Sequence, residues 1–129
     1  MIYSFIKEKL ESVETLAEKV FPIGVLIDDM AVPAAVYQRK ERTPVRELNG
    51  EVHHYVEIIH VDFLDGSYDT VQELWWAAQD VLEAVQNQST GTGAYIFSIE
   101  CASGEGDSVD MDLDLQRLEM LVTVMWCPV

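Results

Sequence analysis

The stretch EVHHYVEIIHVDF contains every histidine of the chain together with acidic side chains, the residue types of a metal site or an acid–base centre. Its candidate chemical groups are His53, His54, Glu57, His60 and Asp62. A helix would place His53, Glu57 and His60 on one face. The surrounding residues favour a strand instead, because valine, isoleucine, tyrosine and phenylalanine at this density pack well on a pleated surface.

A strand separates these histidines from one another. His53 and His54 would point to opposite faces, and His54 and His60 would share a face roughly 20 Å apart at about 3.3 Å per residue. Zinc ligands lie about 2.0–2.3 Å from the metal, so these two cannot hold one ion. The sequence therefore predicts no metal and no cofactor at the histidines. A small α+β enzyme that binds a metal or ligand through His53, His54 and Glu57 is the alternative.

Other motifs for chemistry fail on their spacing. Asp110, Asp112 and Asp114 open like a calcium loop, but Leu115 and Leu121 stand where that loop needs a glycine and a bidentate glutamate. The glycines of NQSTGTGA lack the strand context and the lysine of a phosphate-binding loop. No serine lies in a Gly-x-Ser-x-Gly setting. We therefore expect no catalytic residue and no enzymatic activity.

Hydrophobic periodicity predicts an α+β fold in the order helix, two strands, helix, two strands. Apolar side chains at helical spacing predict a first helix over residues 2–20, and DGSYDTVQELWWAAQDVLEAVQ predicts the second, with Ser67 or Asp69 as its N-cap. Strands are expected from residue 32 through a hairpin to residue 63, over YIFSIEC, and over the last segment. We expect an antiparallel four-stranded sheet with both helices on one face.

The first two strands are joined at Asn49-Gly50, the dipeptide best suited to a two-residue turn. Such a turn would place Arg42 opposite Glu57 and Arg46 opposite His53, and would make a hairpin arm longer than a compact sheet needs. In the last strand the apolar positions change from odd to even numbers. A bulge or break is therefore expected near residues 116 and 117.

Composition indicates one domain over residues 1–129, large enough to bury a core. The formal charge of −15 argues against sequence-specific nucleic-acid binding. No apolar run is long enough for a membrane span, and the first residues do not resemble a signal peptide. Cys101 and Cys127 suggest reduced thiols, with one disulfide as the alternative if their strands pair.

Two surface features predict contacts between copies of the chain. Trp76 falls on the polar side of the second helix, and a large aromatic there often marks a contact surface. Positive charge is concentrated in the arm and negative charge in the GEGDSVDMDLD segment, so copies could dock head to tail. The predicted interface residues are Arg39, Lys40, Arg42, Arg46, Trp76, Asp107, Asp110, Asp112 and Asp114.

The order of the segments resembles a known protein family over nearly the whole chain. An amphipathic helix, FPIG, AVPAAVYQRKERTP, YVEIIHVDFLDGSYDTVQELWWAAQDVLEAV and YIFSIECASGEGDSVDMDLDLQRLEMLVTVMW follow one another as in the tail-completion or tail-terminator proteins of long-tailed bacteriophages and prophages. The resemblance rests on the order of these segments and on their polar and apolar patterns. None of them is a catalytic signature.

The resemblance implies a structural protein. Its expected form is a ring, usually of six copies, that caps the tail tube and joins it to the head connector. Such a protein would be found in the host bacterial cytoplasm during assembly and then in the virion tail. A negative lumen would let DNA pass without sticking. A host adaptor domain with no viral history is a further alternative.

Overall fold

The computed structural model describes residues 2–23, 31–110 and 115–129, with the backbone alone for residues 105–110. The described elements are α1 (Ile2–Glu11), a 3₁₀ turn (Glu14–Leu16), β1 (Val20–Pro22), β2 (Ala34–Arg46), β3 (Val52–Asp65), α2 (Tyr68–Glu83), β4 (Gln86–Ser89), β5 (Ala94–Asp110) and β6 (Leu115–Pro128). The strands form one sheet in the order β1-β2-β3-β6-β5-β4. The predicted α+β class with two helices is confirmed.

The prediction of a four-stranded antiparallel sheet is wrong in strand number and direction. Among the described residues the sheet has six strands, and β1 runs parallel to β2 while the other pairs are antiparallel. Both missed strands lie at the edges and are only three or four residues long. A strand this short gives no periodicity, and β4 is exposed throughout, so its polar sequence looks like a loop.

The first helix also ends earlier than its apolar spacing predicts. α1 stops at Glu11, and the chain continues through the 3₁₀ turn to Glu18, whose φ of 61° is incompatible with a helix. Val13 and Val20 still contribute to the core, although they lie outside α1. Apolar spacing therefore identified which side chains are buried but not the backbone that carries them.

α2 follows its sequence signals closely. Ser67, rather than Asp69, is the N-cap, and its hydroxyl accepts from the Thr70 N–H at 3.4 Å. The predicted stripe is buried as Val71, Leu74, Ala78 and Leu82. Within the described parts of the chain, neither helix combines the length and apolar character needed to cross a membrane.

The sheet has two different faces. On the covered face, against which α2 packs, β3 contributes Ile59, Val61 and Phe63 and the paired β6 contributes its even-numbered residues, all in one core with α1 and α2. We call the other side the open face; His60 and Leu121 lie there and are only partly buried. Because successive side chains on a regular strand alternate between the faces, Glu57 lies on the covered face and His60 on the open face.

The β2–β3 hairpin differs by one residue from the predicted turn. Glu47 donates its N–H to the Glu51 carbonyl, which leaves a three-residue loop with Gly50 at a φ of 88°. Arg46 therefore pairs with Val52 and not with His53, and a bulge beside Arg46 restores the expected pairing of Arg42 with Glu57. A second bulge lies between Arg39 and Glu41.

The predicted bulge near residues 116 and 117 is wrong. β3 and β6 pair without interruption from Gln116 to Trp126, and the irregularity lies on β5, between Ser103 and Asp107. The apolar positions change parity because the open face also buries apolar side chains, of which Leu115 is 8% exposed. Residues 111–114, where the odd-numbered pattern begins, lie outside the described residues.

Replacing Leu74 by alanine tests whether the helical stripe is the core. Leu74 is 3% exposed and belongs to the main apolar cluster, so Leu74→Ala should lower the free energy of unfolding by about 2–5 kcal/mol in urea titration. The exposed neighbour Glu73 provides the control, because Glu73→Ala should change it by less than about 0.5 kcal/mol. Equal effects of the two substitutions would contradict the assignment.

Candidate functional site

The carboxylate of Glu57 is fully buried near the middle of the sheet. Arg42, its partner across β2 and β3, donates Nε–H to Oε1 at 2.6 Å, and the indole N–H of Trp126 donates to the same oxygen at 3.2 Å. Glu57 is 0% exposed and is the one buried charged residue found among the described residues. Its three-residue group joins the three central strands β2, β3 and β6.

Arg42 makes further contacts that hold its side chain in place. The guanidinium lies 5.5 Å from the centre of the Trp126 ring, a cation–π distance, and one of its nitrogens lies 3.5 Å from the Tyr3 hydroxyl of α1. Burial raises the pKa of Glu57 above its ordinary value, and the hydrogen bond from Trp126 opposes that shift. The cation in direct contact also favours the ionised carboxylate. Arg42, predicted as an interface residue, thus pairs with a fully buried carboxylate while 37% of its own side chain stays exposed.

The other basic residues of the arm lie on the surface. Arg39, Lys40 and Arg46 are exposed, and Arg46 also donates to the Gly50 carbonyl at 2.9 Å, which holds the hairpin loop. Leu48, at the tip of the same loop, is fully exposed. The arm end of the molecule therefore offers positive charge together with an apolar side chain.

The acidic segment lies at the opposite end of the strands. Asp107 and Asp110 belong to the backbone of β5 and pair with Leu118 and Leu115, whereas Asp112 and Asp114 lie outside the described residues. Leu118 in turn pairs with Phe63, which is eleven positions along β3 from Val52, the partner of Arg46. That separation is about 36 Å at about 3.3 Å per residue. Arg46 and Asp107 of one chain are thus too far apart to meet, whereas Arg39 pairs with Ile59, only four positions along β3 from Phe63.

Trp76 lies beside a groove between α2 and the sheet. It is 60% exposed, as the helical spacing predicts, and its ring meets that of Trp75 edge to face at 5.2 Å. Trp75 is fixed from below, because its indole N–H donates to the Glu119 carbonyl at 2.9 Å. The groove encloses about 290 Å³ and is lined by Tyr68, Gln72, Trp75, Trp76, Ser103 and Leu118.

The predicted divergence of His53 and His54 is wrong. Their Nδ1 atoms lie 2.8 Å apart, and both rings pack near Phe97 of β5. The bulge beside Arg46 leaves His53 without a partner on β2, and a bulge breaks the alternation of side chains between the two faces. Glu57 takes part in the separate group with Arg42 and Trp126, which leaves the enzyme alternative without its expected arrangement.

His60 has acidic neighbours that sequence reasoning missed. It approaches Asp62, two residues further on β3, and Glu119 on β6, which pairs directly with Asp62. The alternation of His60 and Asp62 on one strand face was visible in the sequence, but Glu119 could not be found before the strand pairing was known. The prediction that no metal binds at the histidines was based on their distances from one another and from Glu57. It did not include the combination of His60, Asp62 and Glu119.

The two cysteines are free thiols. Their strands are neighbours, but Cys101 pairs with Val122 and Cys127 with Tyr95, so they are about 17 Å apart along the ladder and far beyond disulfide reach. Burial, and secondarily the charge of Glu83, raises the pKa of Cys101 to about 12. Cys101 is therefore a neutral thiol near pH 7 and a poor nucleophile.

This chain has an α+β fold with two helices and a six-stranded mixed sheet, and comparison with known proteins finds the same fold elsewhere. A solved structure with this fold is described as "Virion of native gene transfer agent (GTA) particle". The similarity has a TM-score of 0.71 and 12% sequence identity, and it covers 94% of this chain and 90% of the other. A scan against protein-family models and a search of curated proteins each found no match.

Breaking the Glu57 ion pair from one side should be costly. Arg42→Met leaves a buried carboxylate without its cation; because the guanidinium is 37% exposed and water can partly replace it, the free energy of unfolding should fall by about 1–3 kcal/mol. Adding Glu57→Gln removes the charge that needed compensation, so the double variant should recover most of that loss. Urea titration of both proteins measures the difference. Equal losses in the single and double variants would contradict the account.

Proposed function

We propose that this chain is a structural protein of a phage-like particle and acts as a tail-completion or tail-terminator protein. The observation that carries the proposal is that 94% of this chain shares its fold with a chain of a gene transfer agent virion particle. The order of sequence segments independently resembles that of tail-completion proteins. In this role the protein forms a ring, of six copies by that resemblance, which caps the tail tube and contacts the head connector.

The distribution of charge supports head-to-tail contact between copies. Arg46 lies at the arm end of the strands, Arg39 and Lys40 are exposed near the middle of β2, and Asp107 and Asp110 belong to the part of β5 at the other end. A contact between unlike ends of successive copies is heterologous, and it closes into a ring when the rotation between copies allows. The acidic contribution of Asp112 and Asp114 to this contact remains part of the proposal.

Apolar groups supply most of the affinity in this model of assembly. An exposed ion pair contributes only about 0–1 kcal/mol, so charges set the register and the choice of partner. Trp76 and its groove provide a large aromatic surface at the side of α2, and Leu48 provides another apolar contact at the arm tip. These two sites are available to neighbouring copies or to the tail-tube and head-connector proteins.

The negative charge of the chain is compatible with a ring through which DNA passes. A formal charge of −15 disfavours adhesion to phosphate groups, so a ring of such chains could surround DNA without retaining it. We accordingly assign no enzymatic activity and no sequence-specific nucleic-acid binding to the protein. It acts in the host cytoplasm during assembly and afterwards in the virion tail.

Charge reversal in the arm tests the assembly proposal. Arg39→Glu together with Arg46→Glu should leave the monomer folded and reduce ring formation, because both positions are exposed and would then repel the acidic end of a neighbour. Sedimentation velocity over a wide range of protein concentration, with electron microscopy of the largest species, measures the effect. Added salt should weaken wild-type assembly in the same direction.

A charge-matched control separates the arm from net charge. Lys7→Glu with Lys19→Glu changes the total by the same amount at positions in and after α1, and it should leave assembly close to that of the wild type. Arg42 is left unchanged in all variants because it stabilises Glu57. Equal assembly of the arm variant and the wild type, or a wild type that is monomeric at every concentration, would count against the proposal.

A further inference from the structure

Three potential metal ligands converge on the open face of the sheet. His60 Nε2 lies 3.3 Å from Asp62 Oδ1 and 3.6 Å from Glu119 Oε2. All three ligand atoms lie within 4.8 Å of one another. The strand register creates the group, because His60 and Asp62 share a face two residues apart and Glu119 is the cross-strand partner of Asp62.

The two separations from His60 are those of ligand atoms around one small ion. Zinc lies about 2.0–2.1 Å from histidine nitrogen and about 2.0–2.2 Å from carboxylate oxygen, so two ligands of a tetrahedral site are about 3.4 Å apart. The two distances from His60 lie on either side of that value. Three protein ligands leave the fourth position for a water molecule or a group from a partner.

Two ligand atoms of the group, on His60 and Asp62, lack the hydrogen bonds that buried polar atoms normally make. His60 Nε2 and Asp62 Oδ1 are both buried as atoms, and neither has a hydrogen-bond partner. They lie within ion-pair distance of each other, but the contact does not count as a hydrogen bond. Buried polar atoms in proteins are normally satisfied, and a cation between them would satisfy both at once.

Asp62 has a second carboxylate and several basic groups as neighbours. Burial raises the pKa of Asp62 and nearby Glu119 raises it further, while His60, Arg117 and Lys40 oppose the shift. Two carboxylates beside one histidine are a donor set of oxygen and nitrogen. Imidazole nitrogen favours zinc and related transition metals over magnesium or calcium, which prefer oxygen ligands alone.

Space and access are provided next to the group. A cavity of about 190 Å³ is lined by Lys40, His60, Gly104, Glu119 and Leu121. Gly104 of β5 allows the Glu119 side chain to lie across it, because a Cβ at that position would come 2.5 Å from Glu119 Cβ and 2.7 Å from its Oε2. The absence of a side chain at Gly104 therefore permits the orientation of Glu119 that completes the group.

We infer that His60, Asp62 and Glu119 bind one divalent transition-metal ion of the zinc type, with an open fourth position. The ion would join β3 to β6 on the open face, at a distance from the Glu57 group on the covered face. This site is independent of the proposed role in a phage-like particle. It is also distinct from the combination of His53, His54 and Glu57 considered from the sequence.

Calorimetric titration of the untagged protein with zinc chloride, after removal of metal by a chelator, tests the inference. The expected result is saturable binding of one ion per chain. Glu119→Gln and Asp62→Asn keep the side-chain shape and should each weaken zinc binding at least ~10-fold. Even residues that only hydrogen-bond to a metal ligand typically lower the metal affinity by about that much when they are replaced. Circular dichroism confirms that each variant is folded.

Two controls make the result specific to this group. His54→Ala removes a histidine of the same strand outside the group and should leave the affinity unchanged, and Cys127→Ser excludes the half-buried thiol as the ligand. Cobalt(II) should give the visible absorption of a four-coordinate site without a thiolate charge-transfer band. No saturable binding of zinc, binding that survives both carboxamide substitutions, or binding lost in His54→Ala would overturn the inference.

Discussion

A fully buried carboxylate places the strongest constraint on this structure. Glu57 lies on the covered face of β3, where an ionised group without partners would cost several kcal/mol, so the fold must bring donors to it. It does so from both neighbouring strands, with Arg42 of β2 on one side and Trp126 of β6 on the other. A one-residue slip of either strand would remove a donor. The ion pair therefore fixes the register of the central sheet as well as contributing to its stability.

The two bulges of the arm can be understood from the same constraint. The three-residue loop of the hairpin would by itself place Arg42 one position away from Glu57, and the bulge beside Arg46 corrects this difference. The bulge between Arg39 and Glu41 then returns the strands to the original register. Local irregularity in the exposed arm is thus the consequence of satisfying one interior charge.

Sequence patterns predicted the elements that bury a continuous apolar surface. α2 and the long hairpin follow from periodicity and turn chemistry, because both signals depend on residues close together in the chain. The pairing of Arg42 with Glu57 was predicted from a two-residue turn, but the structure reaches it through a three-residue loop and a bulge. β1 and β4 could not be predicted, since they are held by backbone hydrogen bonds at the edges of the sheet. The group of His60, Asp62 and Glu119 escaped for another reason: it exists only after β3 and β6 pair, a contact between distant parts of the sequence.

The short edge strands leave long parts of their neighbours uncovered. Among the described residues, β1 pairs with β2 only at Ala35–Tyr37, and β4 reaches no further along β5 than Ser98. Beyond these points the outer margins of β2 and β5 contain bulges, charged side chains and, in β2, Pro44, all of which hinder the addition of another strand. These features therefore disfavour growth of the sheet into fibres through its edges.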